Sequence, residues 1–465
     1  MVKFRCACRW SGSLTLGLSL LLGATGLAQA EDAGLDVRNA KVSPCWQKRI
    51  AGVPLPVTVV LQEGDTPTGG GGAMVDILNA PFTDGGGRVG FNGSLTSGER
   101  FIWYDSGITF LDSSVVGATL SGAESTMGIS DAGGFIYSPS VDGDDSVWSQ
   151  NGLVLRENIQ APGFPAGTNN TFNSRPTMLP GGAAYWVSGF DDTGGTTTQG
   201  RVLYVSPTAS SGDVSVVLRS DDVVDGLAID RPSGIGFDYQ ISDDGSHHIH
   251  GLLMDTGSTV DDDAIYVDGS LVAREGQPNG GGANWDNFDV VSINDSGHYL
   301  FSGDDDGATA SDEFLAYDAV IAVREGDTLD GVTLTSTASV LAASLNNAGW
   351  AVHAWSRSGG DEFLFAACDA SDLASSVVVA ATGDVVDVDG NGTGDATLTD
   401  FGASNVIGPG LWLAEDGRVY ANVSLDYGGG ALEAIAGFEL PCAFPEIFSD
   451  GFETGDTTRW SATVP

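Results

Sequence analysis

A short turn ending in glycine, followed at once by an alternating strand, recurs along this chain and limits what it can fold into. It appears as TDGGGRVGF with Gly87, ISDAGGFIY with Gly133, LPGGAAYWV with Gly182 and ISDDGSHHIH with Gly245. It returns as INDSGHYLF with Gly297, LNNAGWAVHAW with Gly349 and LAEDGRVYANV with Gly417. The glycines are 46, 49, 63, 52, 52 and 68 residues apart, a spacing that suits the blades of a propeller and exceeds the repeat of most helical solenoids.

A second landmark interleaves with the first: a strand ending near Arg-Glu-Gly-Asp. It is carried by Glu63, Asp112, Glu157, Ser220, Glu275, Glu325 and Thr382. Between the two lies a third strand, clearest in ERFIWYD, GRVLYVS, DEFLAYD and DEFLFAACD, and a fourth precedes each glycine turn. Four short strands per unit, broken by Gly and Asp turns, make a blade. The last unit lacks a strand of the second kind, and VTVVLQEGD (57–65) is a spare one ahead of the first unit. The expected fold is therefore all-β: a seven-bladed β-propeller of four-stranded antiparallel blades over residues 57–441, closed by the N-terminal strand joining the last blade, which would remove two sheet edges.

Ahead of the repeats, Lys3, Arg5 and Arg9 precede an apolar run from Leu14 to Leu27 and an Ala28-Gln29-Ala30 site. That pattern reads as a signal peptide over 1–30, followed by a lead-in over 31–56, and predicts a secreted or cell-surface protein, or a periplasmic one. No other stretch approaches the ~18 apolar residues of a membrane span. Removing the signal leaves 16 basic against 62 acidic residues, a net of −46. Such a charge repels nucleic acid and anionic lipid. Of the acids 48 are Asp and 14 are Glu, the bias of turns and cation sites rather than helix faces.

Cleavage would leave Cys45, Cys368 and Cys442. In an oxidising compartment two of the three pair. A Cys45–Cys442 bridge is expected to fasten the closure, with Cys368–Cys442 as the rival, since both of those residues follow third strands of neighbouring units.

Asn346-Asn347-Ala348-Gly349, followed by WAVH and Ala354-Trp355, resembles the NxxGxxxxAF motif of secreted bacterial choice-of-anchor tandem repeat proteins, with Trp in place of Phe. The INDSG and VREGD landmarks look like the same family's repeat, over about residues 57–441. The resemblance implies propeller-like repeats in a surface context and no established activity. The ending IFSDGFETGDTTRWSATVP, within the tail 442–465, resembles a GFExGDxxxWS-type C-terminus shared by many unrelated secreted bacterial proteins.

One stretch has the spacing of a metal loop. In DVDGNGTGD, oxygen side chains fall at positions 1, 3, 5 and 9 as Asp387, Asp389, Asn391 and Asp395. Gly392 occupies the tight-turn position 6 and Thr393 offers its carbonyl at 7. Hard oxygens on alternate residues wrap a Ca²⁺ ion at about 2.3–2.6 Å. Position 12 is Leu398 rather than Glu, so the loop is not an EF-hand but resembles Asp-x-Asp-x-Asn-Gly-x-x-Asp loops between propeller strands. A structural Ca²⁺ is expected here.

Elsewhere the chemistry is sparse. The acidic runs 142–145, 261–263 and 304–306 lack ligand spacing and read as solvated loop tips. His248 and His250 share a strand face, with no matching carboxylate or Cys to complete a metal site. Nucleophile elbows and phosphate loops are absent from the sequence. Arg156, Arg219, Arg274 and Arg324 recur at one blade position and are expected to form ion pairs between blades. The reading is a Ca²⁺-stabilised, monomeric binding or display module for an extracellular ligand such as a glycan or a surface protein. The alternative is a hydrolase or lyase acting on an extracellular polysaccharide or other polymer, and a channel mouth gathering acids from several blades would mark it.

Overall fold

A computed structural model describes residues 53–357, 359–402, 410–440 and 442, all within one compact unit, Ala51–Pro465. Residues 1–30, where a signal peptide is expected, Cys45 and the tail beyond Cys442 lie outside the described residues. Six sheets repeat one plan, an antiparallel meander in chain order. Blade 1 is Val75–Leu78, Val89–Leu95, Arg100–Tyr104 and Gly107–Leu111, with Phe82–Thr83 added on Val89–Leu95. Blade 2 is Leu120–Ile129, Phe135–Val141, Asp144–Ser149 and Gly152–Arg156; blade 3 is Asn169–Met178, Ala184–Asp191, Gly200–Ser206 and Ser215–Arg219. Blade 4 is Ile235–Ile241, His248–Leu253, Asp263–Val267 and Ser270–Arg274; blade 5 is Trp285–Ile293, Tyr299–Asp305, Phe314–Tyr317 and Val320–Arg324. Blade 6 is Ser339–Leu345, Ala351–Arg357, Asp361–Ala367 and Val377–Ala381.

The expectation of seven equivalent four-stranded blades is corrected by this strand order. Six blades follow the plan, five with four strands and the first with five; the other strands build one seven-stranded mixed sheet and two small two-stranded ribbons, Val223–Val224 with Leu227–Ala228 and Thr328–Leu329 with Val332–Thr333. That sheet runs Leu55–Pro56, Val385–Asp387, Ala396–Phe401, Arg418–Asp426, Ala431–Glu439 and Thr58–Gln62, with Leu411–Leu413 also on Arg418–Asp426. Two local causes make it different. The long insert after Ala381 forms its own hairpin, Val385 facing Thr397, and the N-terminal segment contributes at both borders. Leu55 and Pro56 pair in parallel with Val386 and Asp387. Thr58–Gln62 pairs antiparallel with Ala431–Glu439, Thr58 opposite Gly437 and Gln62 opposite Ala434, through a bulge between Val59 and Leu61.

Among the described residues the apolar side chains of one blade pack against those of the next. Each hydrophobic cluster lies between consecutive sheets: Val147 and Ile136 of blade 2 with Trp186 and Tyr204 of blade 3, and Leu300 and Leu315 of blade 5 with Trp355 and Phe365 of blade 6. Leu61, Tyr420 and Ile435 of the mixed sheet likewise pack on Phe91 and Phe101 of blade 1. A third strand covered on both faces must be apolar at successive positions, and Phe314, Leu315 and Ala316 are all fully buried. Outermost strands are wetter, so SVVLR, SLVAR and VIAVR share one pattern of a single buried residue near the end.

Acids at the start of third strands tie neighbours together by accepting a backbone N–H from the next sheet's inner strand. Phe288 donates to Asp263 Oδ2 at 3.2 Å, Val340 to Glu313 Oε1 at 2.8 Å, Phe401 to Glu362 Oε2 at 2.6 Å and Leu78 to Glu433 Oε2 at 3.2 Å. Arg201 holds the same position in blade 3 with the polarity reversed, its Nη1 donating to Ile235 O at 3.1 Å. Three of the four recurring arginines do not span blades as expected, and no ion pair is seen for Arg274 among the described residues. Arg156 meets Asp144 at 2.6 Å, Arg219 meets Asp222 at 3.6 Å and Arg324 meets Asp305 at 3.2 Å, each within its own blade or the turn that follows it.

Cys442 is bonded to Cys368, with Cα atoms 5.3 Å apart, and the expected Cys45–Cys442 bridge is thereby replaced. Asp361–Ala367 and Ala431–Glu439 both end just before these cysteines, so the two thiols emerge side by side. The closed loop has a sequence separation of 74. Substitution of Cys442 by Ser is expected to lower unfolding free energy by about 2–4 kcal/mol in urea titrations.

Candidate metal centre and the acidic turns

The loop 387–395 connects Val385–Asp387 to Ala396–Phe401 at the border of the mixed sheet. Among the described residues, Asp387, Asp389 and Asp395 are the group whose carboxylate oxygens converge, all within 4.8 Å of one another. Their orientation is set by the backbone. Asp387 accepts N–H groups from Gly390 (2.8 Å, Oδ1) and Gly392 (2.7 Å, Oδ2), and Asp395 Oδ2 accepts from Val388 at 2.9 Å. Gly390 and Gly392 have φ of +73° and +82°, where a side chain would be strained, so the turn needs both.

The remaining expected ligands sit on the same loop. Asn391 donates through Nδ2 to Asp389 Oδ2 at 2.8 Å, and its Oδ1 accepts both the Thr393 N–H at 2.8 Å and the Thr393 hydroxyl. Asp387 is 6% exposed, and its carbonyl takes the Val57 N–H at 3.0 Å, which couples this loop to the N-terminal strand. The donor set is all hard oxygen, which fits Ca²⁺ and not a soft-ligand metal.

A second constellation has no counterpart in the sequence reading. The residues two before five of the landmark glycines, Asp131, Asp243, Asp295, Asn347 and Glu415, converge at the turn ends of the inner strands. Each reaches a neighbour. Gly85 N–H donates to Asp131 Oδ1 at 2.8 Å, Asp244 N–H to Asp295 Oδ1 at 2.9 Å, Asp295 N–H to Asn347 Oδ1 at 2.7 Å and Asn347 N–H to Glu415 Oε1 at 2.9 Å. Asn347 also donates through Nδ2 to Asp243 Oδ2 at 3.3 Å. Burial, followed by the charges of Glu415, Asp295 and Asp131, pushes Asp243 up to about 7. The cavity here, lined by Gln240, Asp243, Asn347, Trp412 and Glu415, holds about 10 Å³, the space of a single water. The sequence signal was present as an acid or Asn at Gly−2, but each occurrence reads locally as an ordinary turn.

Outside these acids, the turn face carries cations and aromatics. Arg88 pairs with Asp84 at 2.7 Å and lies over the Tyr104 ring, while His298 meets Asp318 at 2.7 Å and stacks on Tyr317. His247 meets Asp268 at 2.6 Å. His248 and His250 do lie together, Nδ1 to Nε2 at 3.1 Å, but they bond to each other and pack with Tyr239 and Tyr266. Burial holds His250 down at about 3, in the neutral form.

Among the described residues no helix is long and apolar enough to cross a membrane. No family model matches the chain, so the choice-of-anchor likeness stays a likeness of motifs, and no curated protein matches it. Solved structures similar to it include a protein of unknown function from Bacteroides caccae, at 14% identity and TM-score 0.30 over 61% of this chain and 91% of that one. The β-propeller domain of the Trilobed protease from Pyrococcus furiosus, described as having an open velcro topology, is 10% identical with TM-score 0.40 over 77% and 97%. PorZ, a bacterial surface component of the type-IX secretion system of Porphyromonas gingivalis, is 12% identical with TM-score 0.40 over 77% of this chain and 46% of that one. At these TM-scores the likeness adds nothing to the all-β propeller that the strand order already shows.

Proposed function

We propose that the protein is a secreted binding or display module on a propeller scaffold, stabilised by Ca²⁺ in the 387–395 loop and presenting its turn face to an extracellular ligand such as a glycan. The convergence of Asp387, Asp389 and Asp395 on backbone-fixed oxygens carries this reading. The carboxylates of the acidic turns are engaged with neighbouring backbones around a space too small for a sugar ring, whereas a cavity of about 150 Å³ lined by Arg201, Asp238, Asp263 and Asp289 gathers acids from two blades and favours polymer cleavage as the second reading. Arg88, His247, His298 and Arg418, with side chains 43%, 31%, 51% and 40% exposed, supply donors on that face.

Because Val57 bonds the loop's first ligand, ion binding at 387–395 should register in the N-terminal strand. In hydrogen exchange, Ca²⁺ at about 100-fold over its Kd is expected to slow Val57, Gly390 and Gly392 by up to ~100-fold relative to chelator. Asp387→Ala should abolish the difference. Equal exchange in Ca²⁺ and chelator for the unaltered chain would remove the metal from this proposal. A glycan array probed with wild type and His298→Ala tests the face, and a wholly blank array would remove the glycan.

A further inference from the structure

An asparagine followed by glycine can react with itself, because the next backbone nitrogen reaches the side-chain carbonyl with no Cβ to hinder it. The chain has four such dipeptides, Asn92–Gly93, Asn151–Gly152, Asn279–Gly280 and Asn391–Gly392, and the structure separates them. Asn92 and Asn279 are 2% and 8% exposed, with their amides bonded to Asn79 and to Asp305. Asn151 is exposed, but Gly152 is paired with Ser149 in a hairpin ladder, and the Asn151 Nδ2 donates to Thr208 O at 3.0 Å.

Asn391 is exposed as well, and each group that the reaction uses already has a fitting partner. Its Oδ1 accepts the Thr393 N–H at 2.8 Å and the Thr393 hydroxyl, two donors set where negative charge develops on attack. The attacking nitrogen, that of Gly392, donates to Asp387 Oδ2 at 2.7 Å, a carboxylate placed to take its proton. The departing nitrogen, Asn391 Nδ2, donates to Asp389 Oδ2 at 2.8 Å.

We propose that Asn391 is a self-processing site, deamidated by its own loop with water as the co-reactant. The bond from Gly392 N to Asn391 Cγ forms and the Cγ–Nδ2 bond breaks. The proton taken by Asp387 passes to the leaving group, which departs as ammonia and leaves a succinimide. Water then opens this ring. Addition at Cγ gives aspartate, and addition at the backbone carbonyl carbon of residue 391 gives isoaspartate. The first product adds a negative charge at the fifth position of the loop, and the second inserts a methylene into the backbone and breaks the alternate spacing of its oxygens.

Peptide mapping by mass spectrometry of the full chain, held in chelator at physiological temperature and pH, tests this independently of any ion in the loop. Conversion of amide to acid is expected at Asn391 at least roughly 10-fold faster than at Asn92, Asn151 or Asn279, and by the same factor faster than at Asn391 in urea-unfolded chain. Asp387→Asn, with circular dichroism to confirm folding, should remove most of that acceleration, and Thr393→Val, which lacks only the hydroxyl donor, should slow the reaction several-fold. A folded rate no greater than the unfolded one, or one that both substitutions leave unchanged, would overturn the proposal.

Discussion

In chelator, thermal stability is expected to be greatest near pH 4–5 and to fall as the pH rises to 8, with Tm lower by about 5 °C or more. Burial, aided by nearby carboxylates, raises Asp112 to about 6, and Asp243, Asp263 and Glu362 to about 7. A carboxyl raised in the folded state contributes stability that is complete below its unfolded value, near 4, and is lost as pH climbs through the folded value. The relevant window is therefore about pH 4–8. Two histidines act the other way. Burial lowers His250 and His353 to about 3, so their contribution is present above the unfolded value near 6.5 and is lost as pH falls toward 3. Four carboxyls outweigh two imidazoles between about pH 4.5 and 6.5, and below about 4 the imidazole loss is joined by that of Asp244, which hydrogen bonds from Ser246 hold down at about 2. Scanning calorimetry across pH checks this, and a Tm that climbs steadily from about pH 5 to 8 would contradict it.

Replacing Trp355 by Ala is expected to lower the unfolding free energy by about 3–5 kcal/mol, measured by chemical denaturation. Trp355 is fully buried between blades 5 and 6, and its indole N–H donates to His353 Nδ1 at 2.8 Å. That bond fixes His353 as the Nε2–H tautomer, which then donates to Ser376 Oγ at 2.9 Å. Truncation would leave a cavity and also an imidazole nitrogen without its donor. Trp355→Phe keeps most of the volume but not the donor, so it should cost less than Ala while still exceeding a surface substitution. A loss under about 1 kcal/mol for Ala would show that blades 5 and 6 can close over the gap.

The glycine turns were legible because their conformation demands the residue: Gly297 and Gly349 have φ of +74° and +75°. The strands between them were legible by alternation and by Gly and Asp punctuation. Equivalence of the units was not. Strand count depends on pairing partners, and the hairpin after Ala381 offers extra strands that a repeat does not mark. Asp305 reads as a solvated loop tip, yet it is 3% exposed and holds Arg324 and Asn279, because the loop folds back on its own blade. The acidic turns were the largest omission. Asp131, Asp243 and Glu415 are far apart along the chain and meet only through tertiary packing, which local periodicity does not encode.

The antiparallel placement of Thr58–Gln62 on Ala431–Glu439 has a mechanical meaning. Thr58 lies opposite Gly437, so the two chain directions leave the pair at the same end. Tension on both would peel this ladder open one bond at a time, the weakest way to load a sheet. The Cys368–Cys442 bond changes the load path, since a pull applied beyond Cys442 passes through the covalent link into blade 6 before Ala431–Glu439 can be stripped. A protein tethered by its C-terminal side would then yield first at the N-terminal segment, Leu55–Pro56 ahead of Thr58–Gln62, and only after reduction at its last strand.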